Sequence, residues 1–347
     1  MPKNIRVLIV DDSALVRKLL RDVISGDPGM EVIGAVSNGV EAIRAVAELK
    51  PDVVTMDIHM PEMDGLSALE YIMRKNPLPV VMLSALAQKG AAPTLKALEL
   101  GAVDFITKPS HFPSAIREVS EEVILKVRTA AQARKSIMRG RTRKTQGARL
   151  AARKSFSPEK KLVIIGASAG GPKALAEIMP RFPADTPAAM IIVQHMPGIF
   201  TRSFAERLNG HCEMPVKEAE ENEDLSDGRV LVVPGGCDLI VSCEEGGPGK
   251  VQLMNSQNKV GASPRIDTTM ITAAEAYGSG SVGVIMTGMG SDGAGGIEKI
   301  KKTKGNTIAQ NEESCLVYGM PKVAIERGYI DWIVALEKIP EKVLELL

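Results

Sequence analysis

The chain has 347 residues, of which 44% are hydrophobic and 24% are charged, and its formal net charge is +1. This length allows two domains, each with its own core, and the composition is that of a soluble globular protein. No apolar run reaches the ~18 residues of a membrane span, and the opening stretch MPKNIRVLIVDDS differs from a signal peptide. We therefore expect a cytoplasmic protein that is not inserted into a membrane.

The first third of the chain alternates short apolar strands with helical patterns, which is typical of a parallel sheet covered by helices. The predicted strands are IRVLIV, EVIGAV, DVVTM, VVMLSA and VDFI. The first helical pattern has Ser13 as its N-cap and Gly26 as its C-terminal stop. This pattern predicts a flavodoxin-like domain with a five-stranded parallel sheet.

Polar residues follow four of these strands. Asp11 and Asp12 end the first strand, Asp57 ends the third, Ser84 ends the fourth and Lys108 follows the fifth. Ligands of such sheets bind beyond the carboxyl ends of the strands, so these side chains should share one crevice. Three carboxylates repel one another unless a cation neutralises them, and oxygen-rich sites suit Mg²⁺. Each aspartate alone is better explained as an ordinary loop residue, but the combination predicts a functional site.

This combination resembles the receiver domain of two-component response regulators over residues 1 to about 125. The resemblance implies that Asp57 is the phosphoacceptor, which takes a phosphoryl group from a histidine kinase. It implies a Mg²⁺ site in which the carboxylates of Asp12 and Asp57 bind the ion. Asp11 would act largely through water, and the main-chain carbonyl of His59 would complete the protein ligands. Many relatives carry an acidic or amide residue at the histidine position, but a main-chain ligand is expected to survive that change.

The same resemblance assigns the residues that respond to phosphorylation. Ser84 and Lys108 would contact the phosphoryl group, and Phe105 would be the switch aromatic. A receiver only transmits a signal, so the output of the chain must lie elsewhere.

The segment 131–161 holds eleven Lys or Arg and one acidic residue, Glu159. We interpret it as an extended, solvated tether between two domains. Polybasic tethers also bind nucleic acid or anionic lipid, but Phe156 is the only aromatic residue here, so stacking on bases has little support. The predicted organisation is a receiver at 1–125, a helix end with a basic flexible linker at 126–160, and a catalytic domain at 161–347.

The second region also alternates strand-like and helix-like segments, which predicts a second doubly wound, mainly parallel α/β domain. Its strand-like segments are KLVIIGAS, AAMIIVQH, RVLVVPGG, DLIVSC, SVGVIMTG and NTIAQ. Its four cysteines lack C-x-x-C spacing, and His211 beside Cys212 has no second pair of ligands, so we predict reduced thiols rather than disulfides or a metal site.

The stretch GASAGG places Ser168 between glycines where a strand should turn into a helix. This G-x-S-x-G pattern can lift a nucleophile above a sheet edge, but glycine-rich turns also bind phosphates. A serine nucleophile needs a base and an acid that orients the base. His195 ends the next strand, and Asp292 lies in a glycine-rich loop after a later one. Taken alone, His195 is better explained as a capping or core histidine and Asp292 as an N-cap. Together with Ser168, they supply the nucleophile, the base and the orienting acid.

The order Ser, His, Asp differs from that of α/β-hydrolases. The motifs GASAGGP, QHMP and TGMGSDGAGG, with VPGG and YGMP, instead resemble the chemotaxis protein-glutamate methylesterase family over residues 160–347. The resemblance implies hydrolysis of glutamate methyl esters on cytoplasmic domains of chemoreceptors, deamidation of some receptor glutamines, and activation by receiver phosphorylation. It places the protein at chemoreceptor arrays, with a chemotaxis histidine kinase as phosphodonor.

The resemblance also implies a mechanism. Ser168 attacks, His195 is the base, Asp292 orients it, and main-chain N–H groups of Met289 and Ala169 hold the oxyanion. Mg²⁺ would serve phosphorylation, and the esterase reaction would need no cofactor.

Two departures from the family pattern concern the approach to this site. Ser263 and Arg265 stand where many members have Arg-Pro-Ser, and Ala169 replaces a threonine seen in some relatives. The receptor preference therefore stays open.

Two other functions compete with this interpretation. One is a related hydrolase with a different methylated or amidated protein substrate. The other is a response regulator that binds DNA through the basic segment. The basic segment lacks a helix-turn-helix pattern, and an α/β domain is poorly suited to contact bases in a DNA groove. We therefore expect no nucleic-acid partner.

Overall fold

The structure is a computed structural model that describes residues 4–85, 91–108, 116–139, 160–243, 249–256 and 263–347. The chain divides into two compact units, Met1–Lys144 and Thr145–Leu347. Most of the predicted linker, residues 140–159, lies outside the described residues.

The first unit is built on a five-stranded sheet. Its strands are β1 (Ile5–Val10), β2 (Met30–Val36), β3 (Val53–Asp57), β4 (Val80–Ala85) and β5 (Asp104–Lys108). Their order across the sheet is β2-β1-β3-β4-β5, and every neighbouring pair is parallel. The predicted receiver-type fold is confirmed, and the carboxyl ends of β1, β3, β4 and β5 meet at one edge.

Five helices belong to this sheet. They are α1 (Ala14–Ser25), α2 (Gly39–Leu49), α3 (Gly65–Lys75), α4 (Ala91–Leu100) and α5 (Ile116–Arg139). As predicted, α1 begins after Ser13, whose side chain accepts a hydrogen bond from the backbone N–H of Val16, and it ends at Gly26.

Helix α5 contains the helix end that was predicted at the start of the 126–160 segment. The helix continues through residue 139, so residues 131–139, which were interpreted as the beginning of the extended tether, are helical. The reason is packing: Val127, Ala130, Ala133 and Ile137 recur at helical spacing and are buried. The basic residues of this stretch hide that apolar face in the sequence.

The second unit contains a seven-stranded sheet and a hairpin. Its strands are β6 (Leu162–Ala167), β7 (Ala189–Gln194), β8 (Val216–Glu218), β9 (Val230–Val232), β10 (Cys237–Cys243), β11 (Gly249–Asn255), β12 (Ser281–Ile285), β13 (Asn306–Gln310) and β14 (Trp332–Val334). The sheet order is β14-β13-β12-β6-β7-β9-β8, and all its pairs are parallel. The first strand of this unit, β6, lies at the centre of the sheet, and the later strands lie on both sides of it.

One predicted strand lies elsewhere. The segment DLIVSC is a strand, as predicted, but this strand, β10, pairs antiparallel with β11 in a separate two-stranded sheet. Its burial alternates, with Leu239 and Val241 buried, as suits a ribbon that packs one face on the core. Strands β6 and β7, in contrast, are buried along their whole length.

The helices of the second unit are α6 (Gly171–Ile178), α7 (Gly198–Asn209), α8 (Ile266–Tyr277), α9 (Ala294–Lys302), α10 (Met320–Glu326) and α11 (Ile339–Glu345). Among the helices described in either unit, none combines the length and the apolar character that crossing a membrane requires.

Candidate active site and phosphorylation site

Ser168 lies in the tight turn that joins β6 to α6. Its backbone N–H donates to the carbonyl of Thr287 at 3.0 Å, and its own carbonyl accepts from the N–H of Gly171 at 2.8 Å. Gly170 closes the turn with φ of +76°, a left-handed conformation that glycine adopts without strain. The turn therefore holds the Ser168 side chain above the end of the central strand, half-buried.

His195 follows β7, the strand beside β6. Ala167 and Gln194 are register partners, and the His195 N–H donates to the Ala167 carbonyl at 3.1 Å, so Ser168 and His195 leave adjacent strands at the same level. The His195 Nε2 atom lies 2.7 Å from Asp292 Oδ2. Among the described side chains, no hydrogen bond joins the Ser168 hydroxyl to His195. Such bonds often form only once substrate is bound.

Asp292 is held by backbone as well as by His195. Its carboxylate accepts N–H bonds from Ile266 at 2.8 Å, Asp267 at 3.0 Å and Gly293 at 3.0 Å. The first two donors open α8, so the aspartate caps that helix from a distant loop. Burial alone would raise the pKa of Asp292, but the hydrogen bonds from His195, Asp267 and Ile266 outweigh it and lower the pKa.

Main-chain groups surround Ser168 on the β12 side. A Cβ added to Gly288 would lie 2.7 Å from the Ser168 Cβ, so only glycine allows this loop to pass so close. Met289 is the next residue in the loop. On the other side, the Ala169 carbonyl accepts from the Thr287 hydroxyl at 2.9 Å, whereas its N–H makes no hydrogen bond to another described residue. Of the two predicted oxyanion donors, Ala169 therefore follows the serine directly, and Met289 follows the glycine that passes against it.

Two buried polar residues that sequence reasoning missed brace these loops. Gln194 and Gln310 are the last residues of β7 and β13, and both are almost fully buried. Gln310 accepts from the Thr287 N–H at 2.8 Å and donates to the Ser314 carbonyl at 2.8 Å. The available signal was their position at strand ends, and for Gln194 also its place directly before His195.

Arg265, one of the two departures from the family pattern, is tied to a buried carboxylate. Its Nε donates to Asp238 Oδ2 at 2.8 Å and its backbone N–H to Asp238 Oδ1 at 2.9 Å. The hydrogen bond and charge of Asp238 raise the pKa of Arg265. The side chain stays half exposed one residue before Ile266, which donates to Asp292. A cation therefore stands beside the candidate triad.

In the first unit, the three predicted aspartates do meet. Oxygen atoms of Asp11, Asp12 and Asp57 lie within 4.8 Å of one another. Lys108 bridges two of them, with its Nζ 2.7 Å from Asp11 Oδ2 and 2.6 Å from Asp57 Oδ2. His59 lies two residues beyond β3, and its side chain is exposed.

The charges of this cluster are not fully balanced. Burial and the neighbouring Asp57 raise the pKa of Asp11, and Lys108 offsets them only in part. Burial alone would lower the pKa of Lys108, but Asp57 and Asp11 outweigh it and raise the pKa. The site therefore favours an additional cation.

The predicted switch residues have partners that the sequence did not indicate. The Ser84 hydroxyl lies 2.6 Å from the Thr94 hydroxyl on α4. Phe105 is buried, and Lys126 of α5 donates to its carbonyl while the ammonium lies 5.1 Å from the ring centroid. Asp104 and Glu122 raise the pKa of Lys126 despite the opposing effect of burial, so the lysine stays charged there.

Two family models match the chain: CheB methylesterase over residues 163–343 and the response regulator receiver domain over residues 7–120. A Pyrococcus horikoshii protein named protein-glutamate methylesterase/protein-glutamine glutaminase is 47% identical over 350 residues, which cover 99% of this chain and 94% of that protein. A Thermotoga maritima protein of the same name is 44% identical over 346 residues, covering 99% of this chain and 98% of the relative.

The second unit also resembles a solved structure. The crystal structure of the Thermotoga maritima CheB methylesterase catalytic domain has a TM-score of 0.53 and 43% identity, and it covers 55% of this chain and 100% of that chain. These findings confirm the resemblance drawn from the motifs. The chain belongs to the CheB methylesterase family, and it carries the response regulator receiver domain ahead of the catalytic domain.

Proposed function

We propose that this receiver-controlled protein-glutamate methylesterase and glutaminase hydrolyses its substrates with Ser168 as nucleophile, His195 as base and Asp292 as orienting acid. The observation that carries the proposal is the 2.7 Å contact between His195 and Asp292 beside the Ser168 turn. A serine at a strand-to-helix turn, next to an imidazole that a buried carboxylate orients, is the arrangement that acyl transfer requires.

The contact with Asp292 decides which ring nitrogen acts on the serine. Because Nε2 of His195 faces Asp292, Nδ1 is the nitrogen left to take the Ser168 proton. The serine oxygen then bonds to the ester carbonyl carbon, and His195 returns the proton to the departing methoxide as methanol forms. Water attacks the acyl-enzyme with the same histidine as base, and the glutamate carboxylate and the free serine are restored. For a glutamine substrate, ammonia leaves instead.

The oxyanion of each tetrahedral intermediate needs donors fixed in advance. The N–H of Ala169 is the first candidate, because it follows the nucleophile and makes no other hydrogen bond among the described residues. Met289 is the second, since Gly288 brings its loop against Ser168. One such donor is typically worth about 3 kcal/mol of transition-state stabilisation. These steps use side chains, main chain and water alone.

Asp292 stabilises the charge that His195 gains. The carboxylate is already ionised, because its hydrogen bonds lower its pKa, and the positive end of α8 holds it in place. It therefore fixes the imidazole tautomer before the reaction and attracts the imidazolium during it.

In the receiver, we propose that Asp57 accepts a phosphoryl group from the phosphohistidine of a chemotaxis kinase. The oxygens of Asp11, Asp12 and Asp57 fit a magnesium ion by type and spacing, and the His59 carbonyl would complete the protein ligands. The bound ion would neutralise charge on the phosphoryl oxygens. Lys108 would then donate a hydrogen bond to one of these phosphoryl oxygens. The Ser84 hydroxyl would give up its hydrogen bond with Thr94 and donate to another phosphoryl oxygen.

The names of the relatives support a proposal about the substrates and the place of action. Their names specify protein glutamate and glutamine side chains, and we propose that these belong to methylated cytoplasmic domains of chemoreceptors, at receptor arrays. Arg265 would contact the acidic surface that such a glutamate-rich segment presents.

Methanol release from methylated receptor membranes tests the proposal. The wild type should release methanol, and Ser168→Ala should release none above background while keeping its circular dichroism spectrum. Activity above a few per cent of wild type in Ser168→Ala would reject Ser168 as nucleophile. Ammonia release from receptors with glutamine at the same positions measures the second activity.

A further inference from the structure

Gln194 is buried between the two loops that carry the nucleophile and the base. It is the last residue of β7, its side chain is 2% exposed, and its register partner on β6 is Ala167, directly before Ser168. Its amide therefore lies under the start of α6, and none of the proposed chemical steps uses it.

The amide group bridges both catalytic residues. Its Nε2 donates to the Ser168 carbonyl at 3.0 Å and to the His195 carbonyl at 3.0 Å. A primary amide nitrogen has two hydrogens, so both are used. The sheet does not require either bond, because the ladder between these strands is already continued by the His195 N–H and the Ala167 carbonyl.

The orientation of this amide is determined. Gln194 Oε1 is buried, accepts no hydrogen bond among the described residues, and lies against Gly171, where an added Cβ would be 2.0 Å away. Turning the amide over would place Oε1 against two carbonyl oxygens, which repel it. An unpaired buried carbonyl is costly, so its retention indicates that the two donated bonds matter more.

We infer that Gln194 is a positioning residue that sets the Ser168 loop against the His195 loop, an inference that rests on the proposed function. The Ser168 hydroxyl is not hydrogen-bonded to His195 in the described structure, so the backbone must hold the two groups at the distance that proton transfer needs. Small misplacements of reacting groups cost up to about 100-fold in rate. Gln194 acts on the chemical step and leaves substrate binding unchanged.

Gln194→Met tests this inference, because methionine keeps the length of the side chain and removes both donors. We expect kcat for methanol release to fall about 10- to 100-fold, with KM within about twofold of wild type. Gln194→Glu keeps the shape but turns an oxygen toward the two carbonyls, and it should lose at least as much. Gly171→Ala keeps the amide but presses on Oε1, and it should lower kcat in the same manner.

A matched control separates positioning from general destabilisation. Thr186→Val removes a buried bond from the Thr186 hydroxyl to the Pro183 carbonyl, 2.7 Å long, in the loop before β7, away from the site. It should lower the melting temperature and leave kcat within about twofold of wild type. Melting curves of all variants confirm that kcat is compared between folded proteins; if Gln194→Met does not fold, Gln194→Glu and Gly171→Ala decide.

The outcomes distinguish this inference from the function on which it rests. Activity in Ser168→Ala would overturn both. An inactive Ser168→Ala together with folded Gln194 and Gly171 variants whose kcat equals that of wild type would overturn the positioning role alone. A raised KM with unchanged kcat, or an equal loss of kcat in Thr186→Val, would overturn it as well.

Discussion

The two units place their sites at the same point of a parallel sheet but treat charge in opposite ways. In the receiver, three carboxylates lie within 4.8 Å of one another, and one lysine bridges two of them. In the catalytic domain, the Asp292 carboxylate accepts bonds from His195 and from three backbone N–H groups. Accordingly the pKa of Asp11 is raised, mainly by burial, while that of Asp292 is lowered.

This difference separates a site that awaits a ligand from one that is complete. The receiver cluster retains repulsion that a cation can relieve, and a phosphoryl group on Asp57 would add new negative charge beside Lys108, so both events can change its structure. The Asp292 carboxylate is satisfied by the fold itself, so in the proposed mechanism it would supply a fixed charge in every turnover. Variants of the Ser168 site and of the Asp57 site test the two sides of this contrast.

The largest effect should come from dismantling the complete site. Ser168→Ala and His195→Gln should each lower kcat by about a thousandfold or more, and the double variant should be no slower than the worse single one. The reason is that the two residues act as a unit. Steady-state methanol release at saturating substrate measures all three. Losses that multiply in the double variant would mean that the residues act independently.

Replacing the fixed charge should cost nearly as much. Asp292→Asn keeps the shape of the side chain but removes the charge and disturbs the His195 tautomer, so kcat should fall by about 10²- to 10⁴-fold. Asp267→Asn is the matched control, because Asp267 also caps a helix start, at Gly296, without contacting His195. If both variants lost the same activity, the role of Asp292 would be structural.

The ligand-dependent site should give a smaller, conditional effect. We expect a fragment that begins near residue 157 to be more active than the unphosphorylated full chain, within the range of about 5- to 150-fold typical of coupled sites. Mg²⁺ with a small phosphodonor should activate the full chain, and Asp57→Ala should abolish that activation. A fragment no faster than the unphosphorylated chain would show that the receiver acts in another way, such as recruitment to the receptor.

Much of the contrast between the receiver cluster and the Asp292 site was predictable from the sequence, because the residues of both sites follow the ends of predicted strands. The strands Ile5–Val10 and Asn306–Gln310, for example, were predicted with their observed bounds. The strands Val216–Glu218 and Trp332–Val334 were missed, since three residues at the sides of a sheet carry too little periodicity.

The supporting contacts could not be predicted in the same way. Lys126 and Phe105 are 21 residues apart on different elements, and the contact between them depends on how α5 packs against β5. The role of Gln194 depends on which end of its amide faces Gly171, which only packing decides. Such residues act through tertiary contacts between segments that are separate in the chain, and local sequence patterns do not predict those contacts.

Magnesium should stabilise only the receiver. Relief of the carboxylate repulsion should raise the free energy of unfolding by about 2.7 kcal/mol when Mg²⁺ is a hundred times its Kd, a shift of several degrees in melting temperature. Asp12→Asn should reduce the shift, because this exposed residue supplies one of the oxygens. The catalytic fragment is the control. An equal shift there would indicate a general ionic effect.

The smallest effect, and the most direct test of the contrast, is the pH dependence of stability. Asp292 has a lowered pKa in the folded protein, so its contribution is present above its ordinary value of 3.8 and is lost as pH falls through the folded pKa. Asp11 has a raised pKa, so its contribution is present below 3.8 and is lost as pH rises through the folded value.

Urea unfolding between about pH 3 and 7, without Mg²⁺, should therefore show opposite slopes when the free energy of unfolding of each variant is subtracted from that of wild type. Asp292→Asn should be most destabilising at the upper end of this range, and Asp11→Asn should become less destabilising, or stabilising, there. Slopes of the same sign would mean that the partners of Asp11 offset its burial as fully as those of Asp292 do, and the contrast between the two sites would be wrong.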